Sequence, residues 1–360
     1  MHKESFEFLK KLLETPSPSG FEQQIQKVVK RRMSQFADEI EVDVHGNLAA
    51  AFNPEGKVRV MLAGHCDQIG MMVTHIDDQG YLSFEKIGGI DPAVLPGTTV
   101  RVHTPDGPLA GVIGQKAIHL QSEAERGKKI ELKQLWVDIG APDGQTAKKL
   151  VRIGDPITFE LGVTRLGKHL IAAPGCDDKV GVYVVMEALR LVAQQVKGQA
   201  KKKFPVALYA VSTVQEEIGL RGARTSCYGI DPLVGIAVDV THATDNPASD
   251  TKRTGTVKLG EGPGISIGAN VNPIIGELLL STAKQKRIKH QPQPAPGATG
   301  TDANAMQISR AGVASALVGI PNRYMHSQVE VVDLRDLDAA AKLIAETVLR
   351  ITARTSFIPV

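Results

Sequence analysis

Four stretches of this chain are apolar almost throughout: VRVMLAG at 58–64, FPVALYAVS at 204–212, LVGIAVDV at 233–240 and ASALVGI at 314–320. A strand covered on both faces reads this way, because neither side of the pleat meets water. Helical patterns alternate with these runs. Lys179 to Val196 is rich in Val, Ala and Leu, NPIIGELLLSTAKQK begins at Asn272, and LRDLDAAAKLIAETVLRITART predicts a terminal helix to Thr355. Near the start, FEFLKKLLE stops at the breaker TPSPSG, and a second helix is expected from about Phe21 to Met33. Buried strands alternating with helices imply an α/β fold, with a mostly parallel central sheet and helices on both faces.

Residues 72–165 have another character. The runs YLSFEKI, TTVRVHT, LAGVIG, LWVDIG and DPITFEL are short and separated by turn residues, with GQTAKKLV as the one clear helical stretch. They predict a small β-rich domain inserted into the main fold. The expected division is therefore a catalytic α/β domain of residues 1–71 and 166–360, interrupted by an insert at 72–165.

Composition excludes several functions. The dense basic run KKK at 201–203 precedes a strand and reads as a solvated turn, and aromatics are only 4%, so there is no base-stacking surface and nucleic acid is not the expected partner. No run approaches the roughly 20 apolar residues of a membrane span, and the N-terminus lacks a signal-peptide core. Cys66, Cys176 and Cys227 are an odd, widely spaced set that suits a reducing compartment, so a soluble, cytoplasmic protein is expected.

In open α/β sheets, ligands bind beyond the carboxyl ends of the strands. VRVMLAG is followed by His65-Cys66-Asp67, and LIAAPG by Cys176-Asp177-Asp178-Lys179 at the start of a helix. FPVALYAVS is followed by VQEEIG, which carries Glu216 and Glu217. LVGIAV ends in Asp239, and ASALVGI leads to PNRYMHS with His326. Each has an ordinary explanation: a satisfied histidine, a helix N-cap, a solvated pair, a turn cap. One metal cluster explains all five. Two imidazoles and several carboxylates without a thiolate cluster suit Zn²⁺, Co²⁺ or Mn²⁺ in a reactive site more than a structural zinc. Two ions about 3.5 Å apart need a bridging carboxylate and roughly two further ligands each. Cys66 alternates with His65 and Asp67, so in an extended backbone it points away. The adjacent glutamates then make sense: one binds metal, and its neighbour is free to carry a proton.

The chain resembles the tetrahedral-assembly di-metal aminopeptidases, also described as glutamyl or deblocking aminopeptidases, some of which have been labelled endoglucanases. The resemblance runs from TPSPSGFE through GHCDQIG, LWVDIGA, CDDKVG, VQEEIGLRGA and DVTHATD to GTDANA and RYMHSQVEVVDLRDLD. It implies that Asp177 bridges two metals, that His65 and Asp239 complete one site, and that Glu217 and His326 complete the other. It implies Glu216 as general base and Asp67 as the acid that orients an imidazole. His242 and Asp245 rank behind Asp239 as ligands. Thr301 and Asp302 in GTDANA are candidates for the substrate pocket, a packing turn being the other reading. Gln68 and Gln328 stand where many relatives have an acid and a proline, which points to substrate preference, and Lys179 keeps the charge of a common arginine. The implied activity is removal of N-terminal residues from short peptides. The implied assembly is a homododecamer of dimers, paired through the insert. A related di-metal deacylase or carboxypeptidase is the first alternative. A glycoside hydrolase is the second, and it leaves the histidines unexplained.

Overall fold

The computed structural model describes residues 1–359, without the side chains of residues 199, 253 and 254. At its centre Val206–Thr213, Val58–His65, Val234–His242 and Ala314–Asn322 lie side by side, all parallel. Their side chains are buried on both faces, which explains the near-continuous apolar runs. Because they run the same way, their carboxyl ends share one edge of the sheet.

The flanks are mixed. The hairpin of Glu39–Val42 and Leu48–Phe52 adds antiparallel to Val206–Thr213. On the other side Gly264–Gly268 pairs antiparallel with Ala314–Asn322, and Gln291–Ala295 follows it parallel. Neither of these last two strands is signalled by composition. QPQPA carries two prolines, which cannot donate to a ladder, and it sits where that costs least, at the edge.

Helices cover both faces. Cys176–Gln195 lies across the central strands, nearly all of it buried, with Leu334–Val348 and Lys3–Leu13 packed against it and Pro273–Lys286 against Leu334–Val348. Arg221–Ile230 and Asp302–Gln307 cover the opposite face over Met61, Ala63, Val211 and Ala237. The long helix meets the sheet closely at one point: a Cβ on Gly64 would come within 2.5 Å of the Gly181 backbone. That approach brings the start of the helix beside the end of the strand carrying His65. The terminal helix stops at Val348, short of the expected Thr355. There the Thr355 hydroxyl accepts the Thr352 N–H at 3.0 Å, a local turn that competes with helix.

The β-rich stretch closes into a barrel of Gly70–Ile76, Leu82–Ile87, Leu135–Asp138, Gly107–Gln115, Thr99–Thr104 and Pro156–Phe159. It has its own core, around Met71, Phe84, Val102, Val137 and Phe159. Thr164–Leu166 is not part of it. That strand pairs with Leu170–Ala173, which in turn pairs with Glu330–Asp333. No helix among the described residues is long and apolar enough to cross a membrane.

Candidate metal centre

Five segments meet at the carboxyl edge of the sheet. His65 is the last residue of its strand, and Asp239 lies in the next strand over. Asp177 and Asp178 open the long helix with non-helical backbone angles. His326 lies in the loop after Ala314–Asn322, with φ +59°. Glu216 and Glu217 lie past the end of their strand at Thr213, in a turn entered through Gln215 at φ +55°. The pair is therefore a loop feature rather than a strand ending, which frees both side chains from strand alternation.

One carboxylate spans both imidazoles. Asp177 Oδ1 lies 3.1 Å from His65 Nε2, and Asp177 Oδ2 lies 3.2 Å from His326 Nε2. Glu217 Oε2 is 3.6 Å from His326 Nε2, and Glu216 Oε2 is 3.7 Å from His65 Nε2. Two sets of donor atoms each fall within 4.8 Å of one another: His65, Asp178 and Asp239, and Asp177, Glu217 and His326. Within the first set Asp178 is already engaged. Its oxygens accept the His65 N–H at 3.2 Å and the Gly181 N–H at 3.0 Å.

Asp178 is one of three fully buried carboxylates that brace the backbone of the ligand-type residues. Asp67 accepts the N–H groups of Glu216 at 3.0 Å and Glu217 at 3.2 Å, and the Ser19 hydroxyl at 2.6 Å. Glu330 accepts those of Asp177 at 2.8 Å and His326 at 2.9 Å. The expectation that Asp67 orients an imidazole changes in detail. His65 Nδ1 meets the main-chain carbonyl of Asp67 at 3.1 Å and stands 3.5 Å from its carboxylate. His326 Nδ1 meets the carbonyl of Gly89 at 2.6 Å. Gly89 lies in the loop that follows the barrel strand Leu82–Ile87, and a Cβ there would lie 3.0 Å from that nitrogen.

So many buried acids in one place strain their ionisation. Burial pushes Asp239 up to about 8 and Glu216 up to about 10, and raises Glu217 well above its usual range, with neighbouring carboxylates adding to each rise. Burial also works against ionised Asp177, but hydrogen bonds from His326 and His65 hold its carboxyl below the usual range. Glu217 Oε1 is buried without a partner. Clustered oxygens, an orphaned acceptor and two imidazoles fit divalent cations, which relieve carboxylate repulsion.

The cluster forms one end of a cleft of about 910 Å³. Thr301 lines it, and its hydroxyl lies 2.9 Å from that of Thr299. Asp302 does not line the cleft, against expectation. It opens a helix underneath, fully buried, and accepts the Thr213 hydroxyl at 2.6 Å. His242 lines the cleft, but Asp245 is paired with Arg323 at 2.7 Å. Gln68 does not line it either. It is buried beneath the centre, hydrogen-bonded to the buried Lys179, so it bears on support of the helix start rather than on substrate preference. Gln328 is likewise outside the lining. Cys66 faces the core, as alternation requires.

Sequence reasoning missed Asp178 as a brace, Glu330 and Gly89. Asp178 was visible only as a helix-capping acid. Glu330 stands four residues past His326, a spacing that announces nothing, and Gly89 acts through its carbonyl alone.

Comparison with known proteins gives a consistent picture. Residues 46–343 match the family described as M42 glutamyl aminopeptidase. A lysyl aminopeptidase of Pyrococcus furiosus is 41% identical over 94% of this chain and 95% of its own. The crystal structure of a TET aminopeptidase from a marine-sediment Thaumarchaeota archaeon superposes with a TM-score of 0.91, at 34% identity over 97% of each chain. The Pyrococcus horikoshii TET1 peptidase, which can assemble into a tetrahedron or a large octahedral shell, gives 0.83 at 32% identity, over 96% of this chain and 100% of its own.

Proposed function

The chain belongs to the M42 glutamyl aminopeptidase family and is a metallo-aminopeptidase, and from that premise we propose a di-metal centre that removes N-terminal residues from short peptides with Glu216 as general base. His65 and Asp239 hold one cation, Glu217 and His326 the other, and Asp177 both. The single observation that carries this reading is the Asp177 carboxylate, with one oxygen on each imidazole. Asp178, though near enough, has its oxygens on backbone N–H groups and acts as a brace.

When bound, two divalent ions of the Zn²⁺, Co²⁺ or Mn²⁺ type supply Lewis acidity and lower the pKa of water. Glu216 is in neither donor set, yet its carboxylate lines the cleft. Its carboxylate takes the proton of the attacking water and delivers it to the leaving amine, with the peptide bond broken between them. Asp67 fixes the backbone of Glu216 and Glu217 together, so base and ligand keep their spacing. The cleft has the size of a small-ligand site, which suits a short peptide and not a folded chain.

The reading includes a homododecamer built from dimers, with the insert of 72–165 as the dimerising domain. It includes a cytoplasmic setting, since Cys66, Cys176 and Cys227 are free and buried. A peptide and its N-acetylated form, each assayed before and after prolonged EDTA, test the function. Cleavage of the free-amine peptide alone, abolished by chelation, is expected. Preference for the acylated form would assign the centre to a deacylase, and EDTA-resistant activity would remove the metals. Sedimentation analysis tests the assembly.

A further inference from the structure

The cleft is uneven in charge. All its carboxylates, Asp177, Glu216, Glu217 and Asp239, belong to the metal centre. Among the described residues, the rest of the lining holds no lysine, arginine, aspartate or glutamate. One wall is the stretch 293–301, whose sequence QPAPGATGT is small and neutral. Leu220, Leu317 and Met325 add apolar surface. Gln293 comes from the edge strand Gln291–Ala295, and its amide is occupied by the Thr241 hydroxyl. His242 is exposed.

A substrate whose first residue is lysyl or glutamyl would carry a full charge to this wall. Leaving water without a counter-charge is costly for an ion and not for a hydrocarbon. The carboxylates of the floor are no substitute, since they face the imidazoles and the cations they would hold. Leucyl or methionyl side chains, by contrast, bury apolar area against Leu220, Leu317 and Met325.

We infer that this chain selects peptides whose first residue has an uncharged aliphatic or thioether side chain, in a subsite walled by residues 293–301. The inference rests on the aminopeptidase reading and names the substrate class for it.

The test measures kcat/KM for leucyl, methionyl, lysyl and glutamyl p-nitroanilides with saturating metal. The leucyl and methionyl substrates should exceed both charged ones by about 10-fold or more, the scale on which an apolar pocket discriminates. Gln293→Glu should then shift the lysyl-to-leucyl ratio upward by about 10-fold, because the Thr241 hydroxyl, which accepts from the glutamine amide, can turn to donate to a carboxylate that adds a counter-charge. Lysyl or glutamyl turnover equal to leucyl overturns the inference and leaves the aminopeptidase standing. An unchanged ratio in Gln293→Glu overturns the placement of the subsite. Hydrolysis of none of the four overturns the aminopeptidase reading, and the inference falls with it.

Discussion

His65 and His326 offer the same atom to the same aspartate, but different parts of the molecule hold them. His65 ends a central strand, its side chain is 2% exposed, and its second nitrogen meets a carbonyl two residues away. His326 sits in a loop with positive φ, its side chain is 36% exposed, and its second nitrogen reaches a carbonyl 237 residues away in a loop of the barrel. Sheet and helix packing place the first imidazole. The second depends on the barrel being docked. The barrel is therefore structurally continuous with the centre, and half of the centre should be more labile than the other half.

The largest effect should come from the one cleft-lining acid outside both donor sets. Glu216→Gln should lower kcat by ~10² or more with metal content unchanged. Loss of metal from that variant would place Glu216 among the ligands. Next come the imidazoles. His326→Ala should reduce metal content in elemental analysis while the fold stays intact by circular dichroism. His65→Ala removes a buried ring and should also lower Tm; equal behaviour of the two would erase the asymmetry. Glu330→Gln should weaken metal binding by about 10- to 100-fold, the usual effect of a group that orients ligands, with the His326 side lost first in a chelator titration. Gly89→Ala pushes the new methyl against the His326 ring and should cost about 10-fold or less in the same titration. If it releases metal from the His65 side instead, the barrel does not act through His326.

The smallest effect is a pH dependence of the metal-free protein. Burial raises Asp239 to about 8 and Glu216 to about 10, so the folded chain holds protons that the unfolded chain has already released. Stability from these groups is complete below the ordinary carboxylate range and is lost as pH rises through 8 and then toward 10. In EDTA, Tm should fall between pH 6 and 9, and saturating metal should flatten the slope. A rise of Tm with pH in EDTA would reverse the sign and refute the account.

The central strands and the ligand-type residues were legible because both leave marks in residue type. A strand buried on two faces must be apolar, and an acid or histidine directly after it is conspicuous. The edge strands Gly264–Gly268 and Gln291–Ala295 were not, since an edge tolerates glycine and proline. Asp302 was read as a lining candidate and proved to be an internal partner of Thr213. GTDANA has the same letters in either role.

What remained hidden has a common cause. Asp67, Asp178 and Glu330 brace the centre by accepting backbone N–H groups, and Gly89 by offering a carbonyl. Every residue but proline has that N–H and every residue has that carbonyl, so no pattern of side chains marks the partner. Residue chemistry along the chain was enough to specify which groups can hold cations and where strands must be buried. The pairing of braces with ligands, and the placing of the neutral stretch 293–301 beside the metal centre, came from chain segments up to 237 residues apart meeting in space, which linear spacing does not encode.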